Sequence, residues 1–410
     1  MDKIAFITEN ALIYWSPIIL AISGFAAALV YLAVYIGKGG KFTPGFVSIP
    51  VSAVLGILVG RLFHWYCRTG SYTSFESAFT DFSRGDFALV GMFIGCMITA
   101  VLIRLIRISD NLPKMLDAMS IGGCIGISAG RLSSLFNDAC RGMLISDEVG
   151  FPFTYPLVNP VSGVSENRLA TFMIQSAVTA LIAAGLLLYM FIQAIRKRKI
   201  KDGDIFLLFL AAYSISQIVC DSTRYDALVF RSNGFVSMVQ IISAVALAFV
   251  ITLYSVRLVK NAGFKFWYLA FWTAIAGLLG LAGYMEYFVQ NNGVKAAFAY
   301  SMMSGALIGV FGIILIMRYL ANKPKAVIAA PQPEVTALAA TDVEKTFETC
   351  EKPSEIPEKA KEKAKLSKKQ KSARNCQKKV RKAAKRSKKQ KKNGKRPKSS
   401  KSKKRTSKKK

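Results

Sequence analysis

The sequence predicts an all-α polytopic membrane protein of about nine transmembrane helices, a seven-helix core plus two, followed by a disordered basic C-terminal tail. Three observations carry this. Hydrophobic residues make up 52% of the 410, and mean hydropathy is positive, yet the formal net charge is +32. That charge is concentrated. Residues 361–410 hold 27 of the 56 Lys and Arg against one acid, Glu362, which leaves about +6 on the rest. Finally, the first 320 residues contain nine runs of roughly 20 mostly apolar residues, the length a helix needs to cross a hydrocarbon core ~30 Å thick.

The predicted spans are 15–37, 46–67, 87–106, 115–136, 169–195, 204–220, 235–256, 266–289 and 297–317. AFVITLYSV in the seventh and GALIGVFGIILIM in the ninth carry no charge. The second and fourth are weaker, because Arg61 and Arg131 interrupt them. The N-terminus lacks the basic start and small-residue cleavage site of a secretory signal, so the first run is expected to stay as an anchor. No internal repeat of the inverted-transporter kind is visible, which argues against a channel or transporter.

Loop charge gives an orientation. Loops 38–45, 107–114, 196–203 and 257–265 hold 12 Lys and Arg in 33 residues, with RKRKIK (196–201) the densest cluster. The alternate loops 68–86, 137–168, 221–234 and 290–296 hold 7 in 72. The first set is therefore expected on the cytoplasmic side, with the N-terminus outside and the tail inside. Loop 137–168, with three prolines, reads as an ordered external cap.

The expected domain division is 1–258 for the seven-helix region and 259–320 for two further helices. A Pro-, Ala- and charge-rich linker over 321–360 and a lysine-rich tail over 361–410 follow. Such a tail is expected to lie on anionic lipid, with sequence-independent binding of nucleic acid as a second reading.

Seven scattered cysteines form no CxxC pair, and His64 is the single histidine. A Cys/His zinc cluster is excluded, and no metal site, disulfide framework or cofactor is expected. His64, beside Trp65 and Tyr66, reads first as part of an interfacial aromatic belt. Tyr213 lies mid-helix, where a hydrogen bond to a neighbouring helix would satisfy it. Glu286, near a helix end, reads as a residue reaching water.

Ionisable residues within spans are the functional candidates. Arg61 in VGRLFHWYC, Arg131 in AGRLSSLFN, and Asp221, Arg224 and Asp226 in CDSTRYDA all fall near the outer ends of their helices. A guanidinium keeps its proton, and its planar fork fits a phosphate in a bidentate way, so several at one depth suit a phospholipid headgroup. For Arg61 and Arg224 taken singly, snorkelling to the interface is an equal reading. Arg131 is the stronger candidate, because Ser133, Ser134, Asn137 and Asp138 accompany it.

These residues resemble the bacterial prolipoprotein diacylglyceryl transferases over about residues 10–258. AGRLSSLFNDACRG is similar to the family signature GRxGNFxNGExxG. GDIFLLFLAAYSISQIVCDSTRYDA resembles GxxFxxFxxxYGxxRFxxEFxRxPD, and FVSMVQIIS the LSMGQxLS that follows. VGRLFHWY resembles a Gly-Arg-Leu of the second helix, and residues 85–95 parallel a HGGLIG segment.

The resemblance implies a seven-helix enzyme that moves a diacylglyceryl group from phosphatidylglycerol to the lipobox cysteine thiol of a prolipoprotein, releasing glycerol phosphate and forming a thioether. Its implied partners are phosphatidylglycerol, preprolipoprotein signal peptides and membrane lipids. It implies catalytic roles for Arg131, Tyr213 and Asp221. Headgroup contacts would come from Arg61, Arg131, Ser134, Asn137, Gly142 and Arg224.

The departures are specific. The family histidine of HGGLIG stands as Val90, the signature asparagine as Ser134, and the acid of NGE as Ala139. The arginine four residues after the tyrosine is Gln217, and a fifth-helix glutamate is Gln175, with Arg168 retained. The chain is then either a transferase that activates the thiol with other groups, His64 among them, or a lipid- or lipoprotein-binding paralogue on the same fold.

Overall fold

The computed structural model describes residues 4–8, 11–81, 87–108, 111–145, 153–158, 163–230, 233–291 and 295–322. The linker beyond 322 and the lysine-rich tail lie outside them. Among the described residues nine long helices appear: α1 (Trp15–Gly37), α2 (Phe42–Cys67), α3 (Leu89–Leu105), α4 (Leu112–Arg131), α5 (Thr171–Ile195), α6 (Asp204–Ser222), α7 (Met238–Ala262), α8 (Tyr268–Asn291) and α9 (Ala296–Asn322). Each coincides with an expected span. Seven are long and apolar enough to cross a membrane by length and composition alone. The other two are α3, at 17 residues, and α4, which carries Lys114, Asp117 and Arg131.

Large apolar side chains cover the outside of the bundle. Leu181 is 71% exposed, Phe25 68% and Ile308 66%. A water-facing surface would not carry such a belt, and a bilayer is the solvent that accommodates it. The inside is organised around α6, which is buried nearly all round from Asp204 to Asp221 and packs against α4, α5, α7 and α9. The described residues also form three two-stranded antiparallel hairpins: β1 (Ile4–Thr8) with β2 (Ala11–Tyr14), β3 (Thr154–Val158) with β4 (Ser165–Leu169), and β5 (Val229–Phe230) with β6 (Asn233–Ser237). The β3–β4 hairpin lies within the loop read as a cap.

Small residues set a close crossing between α2 and α3. Gly56 and Gly60 of α2 face Gly91 and Gly95 of α3. A Cβ on Gly91 would lie 2.7 Å from the Val59 carbonyl oxygen, and one on Gly95 2.5 Å from that of Leu55. Paired small-xxx-small stripes let two backbones approach where the hydrophobic effect cannot drive helices together. This crossing seats the last turns of α2 against the start of α3.

Buried charge gathers at the two opposite ends of the bundle. At one end Asp117, fully buried in α4, pairs with Lys38 and accepts from the Gly203 and Phe206 amides at 2.9 and 2.8 Å, capping the start of α6. There Asp204 accepts from Arg318 Nε of α9 at 2.7 Å and from the Tyr254 hydroxyl of α7 at 3.0 Å. At the other end of α6, Glu286 of α8 accepts from the Ser222 hydroxyl at 2.6 Å, and the Tyr300 hydroxyl of α9 donates to the Ser222 carbonyl at 3.2 Å. Glu286, read from sequence as a residue reaching water, thus holds α6. The two additional helices grip the central helix at both ends.

Candidate functional site

The end of the bundle that carries the CDSTRYDA loop holds a cavity of about 240 Å³. Its wall takes His64 and Arg68 from the end of α2, and Val90 and Phe93 from α3. Arg131 comes from α4, Cys140 from the loop after it, Tyr213 and Gln217 from α6, Arg224 and Asp226 from the following loop, and Ile242 from α7. Three guanidinium groups and one carboxylate share this wall, so it attracts anions. Most of the remaining lining residues are apolar, among them Phe87, Ile127, Leu210, Leu228 and Val239.

Arg131 closes α4, because a 3₁₀ turn, Leu132–Leu135, takes over there. The chain then doubles back, with Cys140 in the left-handed region at φ +59°, and the Cys140 sulfur accepts from Arg131 Nη1 at 2.7 Å. Arg131 Nε is buried and has no hydrogen-bond partner among the described residues. A buried donor left unpaired costs about 1–3 kcal/mol, a cost that an acidic ligand would remove.

Arg224 is mounted on two carboxylates. Its Nε donates to Asp226 at 2.9 Å and its Nη1 to Asp221 at 3.2 Å. Burial works against the Arg224 charge, but the field of Cys140, Asp226 and Asp221 outweighs it and pushes the group up. Burial likewise pushes the Asp226 carboxyl up, and the Arg224 guanidinium more than offsets this, holding it below the usual carboxylate range. With its folded value depressed, Asp226 contributes stability that is present above the ordinary carboxylate range and is lost as pH falls through its folded value.

Asp226 also accepts from the Cys140 amide at 2.9 Å, and its carbonyl takes Arg68 Nη2 at 3.1 Å. Asp221, fully buried, accepts from Ser237 as well. Ser237 caps α7 in a reciprocal capping box with Gln240. Asp221 therefore ties α6 to α7 and orients Arg224, and it is not among the residues lining the cavity.

The sequence candidates divide accordingly. Arg131, Tyr213 and Arg224 line the cavity together. The other five, Asp221 among them, are not in its lining. Arg61 is 1% exposed, donates to the Asp81 carbonyl and stacks over the Phe87 ring at 4.8 Å. Asn137 donates to Ser16 of α1 at 2.9 Å and accepts from the Ala139 amide at 3.0 Å, shaping the turn. Ser134 lends its carbonyl to Arg141 at 2.9 Å. Gly142 pairs with Arg224 by backbone and donates to the Leu169 carbonyl at 2.7 Å.

A Cβ on Gly142 would lie 2.5 Å from Thr171 Oγ1 and 2.7 Å from Leu169 Cβ. Gly142→Ala is therefore expected to push the Gly142 segment off β4 and destabilise the chain by about 1–3 kcal/mol, as overpacking does. A thermal-unfolding series in detergent checks this.

Sequence reasoning missed two groups and read a third first as part of an aromatic belt. Arg141, 1% exposed, donates to the Ser134 and Asn137 carbonyls at 2.9 Å each and lies between the Tyr155 and Phe172 rings at 4.0 and 4.6 Å. Burial draws its guanidinium down, and Tyr155 and Asp138 offset part of this. It pins the loop that carries Cys140. Cys140 itself looked like any apolar-segment cysteine.

The third is His64, which faces the cavity, 8% exposed, instead of standing in an aromatic belt. The two departures at Gln175 and Gln217 turn out to be one. Both are buried, and Gln175 Nε2 donates to Gln217 Oε1 at 3.3 Å, a neutral amide pair.

A sequence model of the prolipoprotein diacylglyceryl transferases matches residues 3–256, which take in α1 to α6 and most of α7. The chain is similar to proteins named phosphatidylglycerol–prolipoprotein diacylglyceryl transferase. That of Bacillus licheniformis is 23% identical over 269 residues, 65% of this chain and 96% of the relative. That of Clostridioides difficile is 24% identical over 249 residues, 60% and 91% of the two chains. That of Clostridium novyi is 25% identical over 265 residues, 64% and 98%. The chain belongs to the prolipoprotein diacylglyceryl transferase family.

Proposed function

We propose that this membrane protein transfers a diacylglyceryl group from phosphatidylglycerol to the lipobox cysteine thiol of prolipoproteins. The observation that carries the reading is the pair Arg131 and Arg224 on one wall of a cavity inside a membrane bundle, Arg131 with an unpaired buried Nε. A phosphodiester carries one negative charge, and its non-bridging oxygens match a guanidinium fork.

In this reading the headgroup phosphate sits against Arg131, with Arg224 beside it, and the apolar side of the wall takes the glyceryl carbons. The acceptor sulfur attacks the glyceryl carbon that bears the phosphate ester. A C–S bond forms as the C–O bond breaks, and glycerol phosphate departs with the electron pair. Negative charge grows on the departing phosphate, so fixed cations bind the transition state more tightly than the ground state. Asp221 acts as a positioning residue for Arg224, and Tyr213 borders the reacting space. Arg61, Ser134, Asn137 and Gly142 hold the frame around it.

Loop charge supports an orientation with the cavity end and N-terminus outside. The basic tail then lies inside, where each Lys or Arg near an anionic leaflet contributes about 1 kcal/mol. The region 1–258 is read as the catalytic domain, with 259–320 as a brace.

The experiment is transfer by the full chain in phosphatidylglycerol vesicles with a lipobox peptide, followed by mass spectrometry. The peptide is expected to gain one diacylglyceryl thioether, and vesicles of phosphatidylcholine alone are expected to give none. Binding of phosphatidylglycerol without product would leave a lipid-binding protein on the transferase fold.

A further inference from the structure

We propose that Glu286 of α8 is a positioning residue for Arg224, acting through Ser222 and the last turn of α6. The inference rests on the transfer reading above and deepens it, because it gives the helices beyond residues 3–256 a part in the chemistry. α8 and α9 carry one charged side chain each, Glu286 and Arg318. A charge inside a span is costly unless it is paired, so its partner indicates its use. Both are spent on α6. Arg318 pairs with Asp204 at the end far from the cavity, and Glu286 accepts from the Ser222 hydroxyl at the cavity end.

Ser222 stands between Asp221 and Arg224 in the turn that closes α6. Successive side chains of a helix point about 100° apart. Asp221 accordingly reaches Ser237 at the start of α7, while Ser222 reaches α8. The turn is therefore held from two sides, one within the family region and one outside it.

The carbonyls that a helix end leaves without intrahelical partners are also taken up. That of Cys220 accepts from the Thr223 hydroxyl at 2.8 Å, that of Asp221 from the Arg224 amide at 3.2 Å, and that of Ser222 from the Tyr300 hydroxyl at 3.2 Å. The Ser222–Glu286 bond, at 2.6 Å, differs from these in having a carboxylate acceptor. Such bonds are about twice as strong as neutral ones. Without Glu286, Tyr300 still holds the Ser222 carbonyl, so the helix end stays in the bundle. What is lost is the stop against rotation of the turn that carries Asp221 and Arg224. A shift of about 1 Å in a group that acts on the reacting atoms costs up to about 10²-fold in rate.

The test uses the full chain in phosphatidylglycerol vesicles with a lipobox peptide, with kcat and KM taken per folded chain. Glu286→Ala is expected to lower kcat about tenfold with KM for phosphatidylglycerol near the wild-type value, because the Arg224 charge stays while its aim is lost. Glu286→Gln keeps an oxygen acceptor for Ser222 and is expected to recover most of that loss. Ser222→Ala is expected to match Glu286→Ala, and the two together to cost no more than either alone, as residues acting as one pair do. If Glu286→Ala does not fold, Ser222→Ala against Glu286→Gln makes the same comparison. Asn261→Ala is the control: it removes a 2.9 Å bond from α7 to the Ala321 carbonyl of α9, at the end far from the cavity. It is expected to lower the unfolding midpoint and leave kcat unchanged. Beside Arg224→Lys, which already lacks the planar fork, Glu286→Ala is expected to cost less than about twofold.

Glu286→Ala at the wild-type kcat, an equal fall in kcat for Asn261→Ala, or a loss that persists in full beside Arg224→Lys overturns the positioning role and leaves the transfer reading standing. No transfer by the folded wild type overturns the transfer reading, and the positioning role with it.

Discussion

Arg131→Ala is expected to lower transfer by about 10²–10³-fold in kcat, the cost of removing one donor aimed at charge that develops in a transition state. The side chain sits at the end of α4, where the helix gives way to a 3₁₀ turn, so its guanidinium reaches the cavity while its stem stays in the helix packing. Among the described residues it donates to the sulfur of Cys140, a weak acceptor, and its Nε has no partner. Removing it therefore takes little from the fold and much from the phosphate. Arg131→Lys keeps the charge but not the planar fork and is expected to fall between the two. Unfolding curves alongside initial rates check this: a loss of activity with a near-constant midpoint is the expected pattern.

Arg224→Met produces the opposite pattern. This guanidinium neutralises Asp221 and Asp226, whose side chains are 0% and 21% exposed. Removing one partner of a buried pair costs about 3–5 kcal/mol, because the remaining charges keep the desolvation penalty. Here one cation serves two carboxylates, and those carboxylates also hold the Ser237 cap of α7 and the Cys140 amide. The substitution is expected to unfold the cavity end of the bundle, seen as a lowered midpoint and faster hydrogen exchange over 221–240. Arg224→Met with Asp226→Asn and Asp221→Asn removes all three charges and is expected to recover much of the stability while staying inactive.

The architecture was legible because a bilayer imposes a simple requirement. Each span needs about 20 apolar residues, and nine such runs fall where the nine helices are. Even the interrupted spans were placed, since Arg61 and Arg131 sit at one end of their helices. The site was legible only in part. Arg131, Tyr213 and Arg224 could be singled out because intramembrane charge and the family motifs mark them.

What converges on the cavity from other helices left no local signal. His64 faces the cavity because Gly56 and Gly60 meet Gly91 and Gly95, a pairing between segments about 35 residues apart. The bond between Gln175 and Gln217 joins residues 42 positions apart. Arg61 shows the converse: its motif suggests a headgroup contact, and in the structure its guanidinium donates to the Asp81 carbonyl and lies over the Phe87 ring.

The central claim is that the chain performs phosphoryl-leaving-group chemistry in this cavity, and one measurement addresses it most directly. Phosphatidylglycerol labelled in its headgroup glycerol is mixed with lipobox peptide and the reconstituted chain in excess, and both products are counted in a single turnover. One glycerol phosphate released for each thioether formed, with both lost in Arg131→Ala, is the predicted result. Saturable binding of the lipid with no glycerol phosphate released by the wild type would contradict it.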